Sequence, residues 1–85
     1  MNVTVLVRPL PGILDPQGEA IARSLDALGF PVGSVRAGKL FDVEVETDDP
    51  DEAAHVARAA AEQLLANALI EGFEVVVGTP AGVPA

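Results

Sequence analysis

The sequence predicts one α+β domain in which two helices cover one face of an antiparallel sheet, in the order β-α-β-β-α-β. Three observations carry this. Apolar residues alternate at period two in residues 2–8 and 41–46, and residues 73–77 read as a last, Val-rich strand. Two Asp-Pro pairs, Asp15-Pro16 and Asp49-Pro50, each open a stretch whose apolar residues recur at helical spacing. And 85 residues give room for a single small core with a thin stability margin.

In the first strand Val3, Val5 and Val7 face one way, and Thr4, Leu6 and Arg8 the other. Pro11-Gly12 then turns the chain. Asp15 can accept from first-turn N–H groups, and Pro16 lacks a donor that would go unpaired there. The first helix runs from Pro16 to about Leu28, with a stripe of Ile21, Leu25 and Leu28, and Gly29 as its left-handed stop. Gly18 inside its first turn costs about 1 kcal/mol relative to Ala. Another backbone approaches closely there, or the turn faces a partner.

Residues 31–36 are a short, poor strand candidate leading to a turn at Ala37-Gly38. The best strand follows, with Phe41, Val43 and Val45 opposed by Asp42, Glu44 and Glu46. Asp49-Pro50-Asp51-Glu52 opens the second helix, with Glu52 placed for a capping box. Its stripe is Ala53, Val56, Ala57, Ala60 and Leu64, and its many alanines imply close approach to the sheet. Asn67 is a candidate left-handed cap. Phe30, Phe41 and Phe73 all stand at expected core positions. The domain is expected over residues 1–77, and residues 78–85, with two Pro and no periodicity, read as a flexible tail. Helices on one face leave Leu6, Leu40 and Val76 on the other, which points to a homo-oligomer through the sheet or its edges.

Thirteen acidic against five basic residues give a net charge of −8, and no aromatic platform offers base stacking, so nucleic-acid binding is set aside. No run approaches the roughly 18 apolar residues of a membrane span, and no signal peptide is recognisable. With no Cys there is neither a disulfide framework nor a thiol nucleophile, which suits the cytoplasm.

Arg8, Arg36 and Lys39 should converge, because the strand ending at Arg8 lies antiparallel to the one beginning near Lys39. With the start of the first helix at the same end, they could hold an anion or a partner's carboxylate, or simply balance Asp15, Asp42 and Glu44. His55 lies off the apolar stripe with no second His or nucleophile at helical spacing, and reads as solvated. Residues 44–49 are a solvated charge run rather than a cation site. No glycine pattern forms a nucleotide cradle. By residues alone this is a binding or assembly module without a catalytic site, a metal site or a cofactor site. A regulatory domain of the same topology binding a small molecule is the alternative.

Three segments carry a likeness to a known family: Pro11-Gly12-Ile13-Leu14-Asp15-Pro16-Gln17-Gly18, Val35-Arg36-Ala37-Gly38-Lys39 and Leu64-Leu65-Ala66-Asn67-Ala68-Leu69-Ile70-Glu71. With Leu28-Gly29-Phe30 they stand in one consistent order across residues 3–77, and in this the chain resembles PurS, the small subunit of phosphoribosylformylglycinamidine (FGAM) synthase. The element order by itself matches a ferredoxin-like sandwich, and the resemblance implies a non-catalytic role in de novo purine biosynthesis. In that complex FGAR becomes FGAM with ATP and glutamine. A large synthetase subunit binds nucleotide and substrate, so ATP and Mg are expected there and no cofactor here, while a glutaminase subunit releases ammonia. The small subunit, a dimer or tetramer, supports their assembly and ammonia transfer.

The matching positions are Pro11, Gly12, Leu14, Asp15, Pro16, Gln17 and Gly18, then Arg36, Gly38 and Lys39, then Asn67, Ile70 and Glu71. The first two groups, with Arg8, are expected at subunit contacts. Fold maintenance is the competing reading, with Asp15 as cap and the glycines as turns. Ala68 departs from the Pro common in the family, which loosens the exit from the second helix.

Overall fold

The computed structural model describes residues 1–78. The chain forms β1 (Asn2–Pro9), α1 (Pro16–Ala27), β2 (Lys39–Glu44), α2 (Pro50–Ala60), a π-helical turn (Ala61–Leu65) and β3 (Glu71–Val77). The sheet is antiparallel with order β2-β1-β3. The α+β class and the antiparallel sheet expected from the sequence are present, with one correction. Among the described residues the sheet has three strands, because residues 31–38 take no regular structure and pair with no strand. Pro31 lacks a donor, and Gly33 and Ser34 are poor strand formers in a segment already weak by alternation.

Central β1 supplies the core. Val3, Val5 and Val7 are buried, and α2 presses Ala53 and Ala57 onto them, continued by Ala61 of the π-helical turn. Alanines at i, i+4 and i+8 form one rail, and their lack of side-chain bulk lets the helix backbone come close to the sheet. Phe41, Val43, Phe73 and Val75 flank this core, half-buried. On the opposite face the register sets Leu6 against Leu40 and Thr4 against Val76, as alternation requires. Thr4 is buried there and its hydroxyl donates to Asp42 Oδ1 at 3.0 Å.

Helix ends follow the sequence closely. Asp15 caps α1 by accepting from Gly18 N–H at 2.9 Å, with Pro16 in the first turn. At the other end Gly29 has φ +92°, and the N–H groups of Gly29 and Phe30 reach the carbonyls of Asp26 and Leu25. That is a Schellman stop. Asp49 caps α2 through Asp51 N–H. Glu52 does not return to the cap directly. Thr47 mediates, its hydroxyl donating to Glu52 and accepting from Asp49 N–H.

Several expectations change. α2 gives way after Ala60 to a π-helical turn, closed by Ala66 N–H on the Ala61 carbonyl. The extra residue in this turn rotates Leu64 off the stripe, and it is 82% exposed. Asn67 is not left-handed, since among the described residues no non-glycine residue has positive φ. It caps instead through Oδ1, which accepts from Leu69 N–H, while its carbonyl accepts from Ile70 and Glu71. Phe30 is 53% exposed rather than buried, and α1 buries only Gly18. Gly78 remains tied to Asn2 by its N–H. The rest of the expected tail lies outside the described residues.

Candidate functional site

Three turns meet where β1 ends and β2 and β3 begin, and each holds the next. The loop after β1 carries residues 10–15. Its Leu10 N–H donates to the Ile70 carbonyl at 2.8 Å, linking it to the turn before β3. Asp15 links it to the segment before β2: besides capping α1, its Oδ2 accepts from Ala37 N–H at 2.7 Å. Arg36 reaches back over the same loop, donating to the carbonyls of Pro9 and Leu10. Lys39 and Glu71 close the ring with an ion pair at 3.4 Å, and Glu71 Oε1 also accepts from Asn67 N–H at 2.8 Å.

The two carboxylates are tuned by these contacts. The N–H groups of Gly18 and Ala37 hold the Asp15 carboxyl below its ordinary value, against the opposing pull of desolvation and with help from the Arg36 charge. Glu71 is likewise lowered, first by Asn67 N–H, with desolvation opposing and Lys39 assisting.

Two glycines of this end are packing requirements. A Cβ on Gly18 would overlap the Val35 carbonyl oxygen, and one on Gly38 the Val7 carbonyl oxygen. Of the two readings of Gly18, close backbone approach is therefore the one realised. Gly38 is pressed against β1 rather than forming a hairpin turn.

The strand ends that carry Arg8 and Lys39 lie side by side, but Lys39 pairs with Val7 across the β1–β2 ladder, so alternation puts the Arg8 and Lys39 side chains on opposite faces of the sheet. Among the described residues no free anion cradle forms. Arg36 is spent on carbonyls, Lys39 on Glu71, and Asp15 occupies the α1 N-terminus. Arg8, Pro11, Pro16 and Gln17 remain exposed around this framework. Sequence reasoning left out Leu10, Ala37 and the pairing of Glu71 with Lys39. The signal for Glu71 lay in its place at the end of the third family-like segment.

Two shallow grooves flank Arg8 on the sheet face away from α2. One runs past Leu6, Leu10 and Phe73, the other past Leu6, Gly38 and Leu40. Beside them stand exposed apolar side chains, with Leu14 68% and Leu69 86% accessible. Among the described residues no group of three His, Cys, Asp or Glu side chains could hold a metal ion, and no helix is long and apolar enough to cross a membrane. His55 is exposed. The chemistry available at this end is recognition: apolar contact, backbone groups and one unengaged arginine.

Residues 2–79 match the family described as PurS, phosphoribosylformylglycinamidine (FGAM) synthase. The FGAM synthase subunit PurS of Mycobacterium leprae is 46% identical over 65 residues, covering 74% of this chain and 77% of that one. The crystal structure of Methanocaldococcus jannaschii PurS, described as one of the subunits of formylglycinamide ribonucleotide amidotransferase, superposes with a TM-score of 0.79 at 30% identity. That match covers 88% of this chain and 92% of the other. A chain of the Thermotoga maritima PurLQS structure gives a TM-score of 0.81 at 34% identity, over 88% and 93%. With the match spanning nearly the whole chain, and with its three characteristic segments locked together at one end of the sheet, this chain belongs to the PurS family of FGAM synthase.

Proposed function

We propose that this chain is the small subunit of FGAM synthase in purine biosynthesis, that it works in the cytoplasm, and that it joins the synthetase and glutaminase subunits and supports ammonia transfer between them. It is part of a carbon–nitrogen ligase without an active site of its own. ATP and Mg belong to the large subunit, and no cofactor binds here. One relative comes from a structure of PurLQS, in which a PurS chain stands with PurL and PurQ. The observation that carries the placement of the contact surface is the ring of turns. Residues far apart in sequence meet at one end of the sheet, around exposed apolar and basic side chains.

The contact residues divide by role. Asp15, Gly18, Arg36, Gly38 and Lys39 hold the three turns in place. Arg8, Pro11, Pro16 and Gln17, with Leu14, meet the partner. The division selects the test. Reversing Arg36 or Lys39 would disturb the framework, whereas Arg8→Glu with Leu14→Asp alters only outward groups. The purified synthetase and glutaminase subunits are mixed with this chain, glutamine and Mg-ADP, and complex formation is followed by sedimentation. A three-component complex is expected, and the double variant should weaken it at least about tenfold while its circular dichroism spectrum stays native. No complex with folded wild-type chain, together with a thermal shift induced by an amino acid, would instead support the small-molecule-binding alternative.

A further inference from the structure

The hydrogen bonds of β3 use one side of that strand and leave the other open. Gly78 N–H donates to the Asn2 carbonyl at 2.9 Å, and Leu10 N–H to the Ile70 carbonyl at 2.8 Å. Between them the register runs from Val3 with Val77 to Pro9 with Glu71. Bonded and unbonded pairs alternate along an antiparallel ladder. Gly72, Glu74 and Val76 therefore turn their N–H and carbonyl groups toward β1, and Phe73, Val75 and Val77 turn theirs outward. Glu71 N–H is taken by the Asn67 carbonyl at 2.7 Å. The outward backbone groups of Phe73, Val75 and Val77 have no partner among the described residues.

Native sheets blunt such an edge with Pro, Lys or a bulge. β3 has no Pro and no Lys, and its register with β1 is unbroken. Phe73, Val75 and Val77 lie on the face that α2 packs against, with Val77 41% exposed at the margin. Glu74 is exposed on the other face. Where the strand begins, the exposed Leu69 and Ile70 continue its apolar surface.

Charge selects the occupant. Glu71 is paired with Lys39, whereas Glu74 has no cation in ion-pair contact among the described residues, although Arg8 lines the same groove. A second copy paired antiparallel about Val75 would set the two Glu74 side chains diagonal to each other on one face, and would bring a further charge of −8. Of the residues that follow β3, Pro80 and Pro84 lack the donors a ladder needs. A strand with a Lys or Arg opposite Glu74, and apolar residues at the flanking positions, satisfies both the charge and the alternation.

We propose that the outer edge of β3 takes up a short extended segment of a partner subunit as a further strand. Its main chain bonds to Phe73, Val75 and Val77, its apolar side chains extend the surface under α2, and its basic side chain pairs with Glu74. The source of the segment in the synthetase or the glutaminase rests on the function proposed above.

The ¹⁵N-labelled full chain is mixed with both purified subunits, glutamine and Mg-ADP, and amide exchange is quenched and read residue by residue. In the chain alone Gly72, Glu74 and Val76 should be protected, while Phe73, Val75 and Val77 exchange freely. In the complex the last three should slow at least tenfold. Val77→Pro removes one outward donor and spares the β1 ladder, and Glu74→Arg reverses the selecting charge. Each should weaken the complex at least tenfold. A complex in which Phe73, Val75 and Val77 exchange as in the chain alone would overturn the proposal and leave the assembly standing. So would a folded Val77→Pro variant that assembles as tightly as wild type, or protection of these three amides in the chain alone. Absence of any complex would overturn both. Should Val77→Pro not fold, the exchange pattern of the wild-type chain decides.

Discussion

Gly18→Ala sets helix propensity directly against close packing. Alanine in place of glycine within the first turn of α1 favours the helix by about 1 kcal/mol. The new Cβ would overlap the Val35 carbonyl oxygen and stand 2.6 Å from Asp15 Oδ2, where ordinary contact begins at 3.4 Å. The shortfall from Asp15 alone is thus 0.8 Å. Neither obstacle can swing aside, since one is backbone and the other is bonded to Ala37 N–H at 2.7 Å. Overpacking of this kind costs roughly 1–3 kcal/mol, and two fixed neighbours place it near the upper end. Set against the propensity gain, undocking of α1 from the segment before β2 becomes easier by about 2 kcal/mol, or roughly 30-fold in population.

The readout is amide hydrogen exchange at Ala37, whose N–H is protected only while that contact is closed. It should accelerate about 30-fold in the variant, while the amides of Val3, Val5 and Val7 keep their rates. Unchanged or slower exchange at Ala37 would refute the reasoning. A midpoint raised by about 4–8 °C would do the same, because propensity would then have won.

Two other perturbations test the core and the acid response. Ala57 is fully buried on the helix rail, so Ala57→Leu must push α2 off β1 and β3; a loss of about 2 kcal/mol, or a melting midpoint lower by roughly 8–16 °C, is expected by calorimetry. Asp15 and Glu71 both have folded pKa values below their ordinary 3.8 and 4.5. Groups depressed on folding add stability above their unfolded pKa and lose it as pH falls through the folded one, so urea midpoints should drop on acidification below about pH 4.5. Asp15→Asn with Glu71→Gln should flatten that acid limb, and parallel limbs in the two proteins would contradict the assignment.

How far these features could be read from the sequence depends on their range. Local devices were legible. The Val3, Val5, Val7 alternation, both Asp-Pro starts and the Gly29 stop each involve residues within a turn or two of one another. That the end of β1 lies beside the start of β2 followed from topology alone. Features decided by distant neighbours were not legible. Phe30 reads as core because it is aromatic and ends an apolar stripe, yet it is 53% exposed, because α1 before it buries only Gly18. Leu64 fits the α-helical period, and only the widened turn at residues 61–65 moves it outward, with no glycine or proline there to announce it. Glu71 carries no local signal for Lys39, which lies 32 positions earlier. The likeness among the three segments marked these residues as a set before any geometry explained why.

The π-helical turn has a consequence for chain length. Each residue of an α-helix advances the azimuth by about 100°. The extra residue in the span Ala61–Leu65 therefore acts as an angular setting for everything that follows, rather than as a feature valued for its own side chains. With one residue fewer, α2 would continue as a regular helix and deliver Asn67 about a quarter-turn away, carrying Glu71 out of reach of Lys39 and Ile70 off Leu10. Homologous chains that keep the ring of turns must then conserve the residue count from Ala61 to Glu71 even where they change the residues, or compensate a deletion in the turn with an insertion before β3.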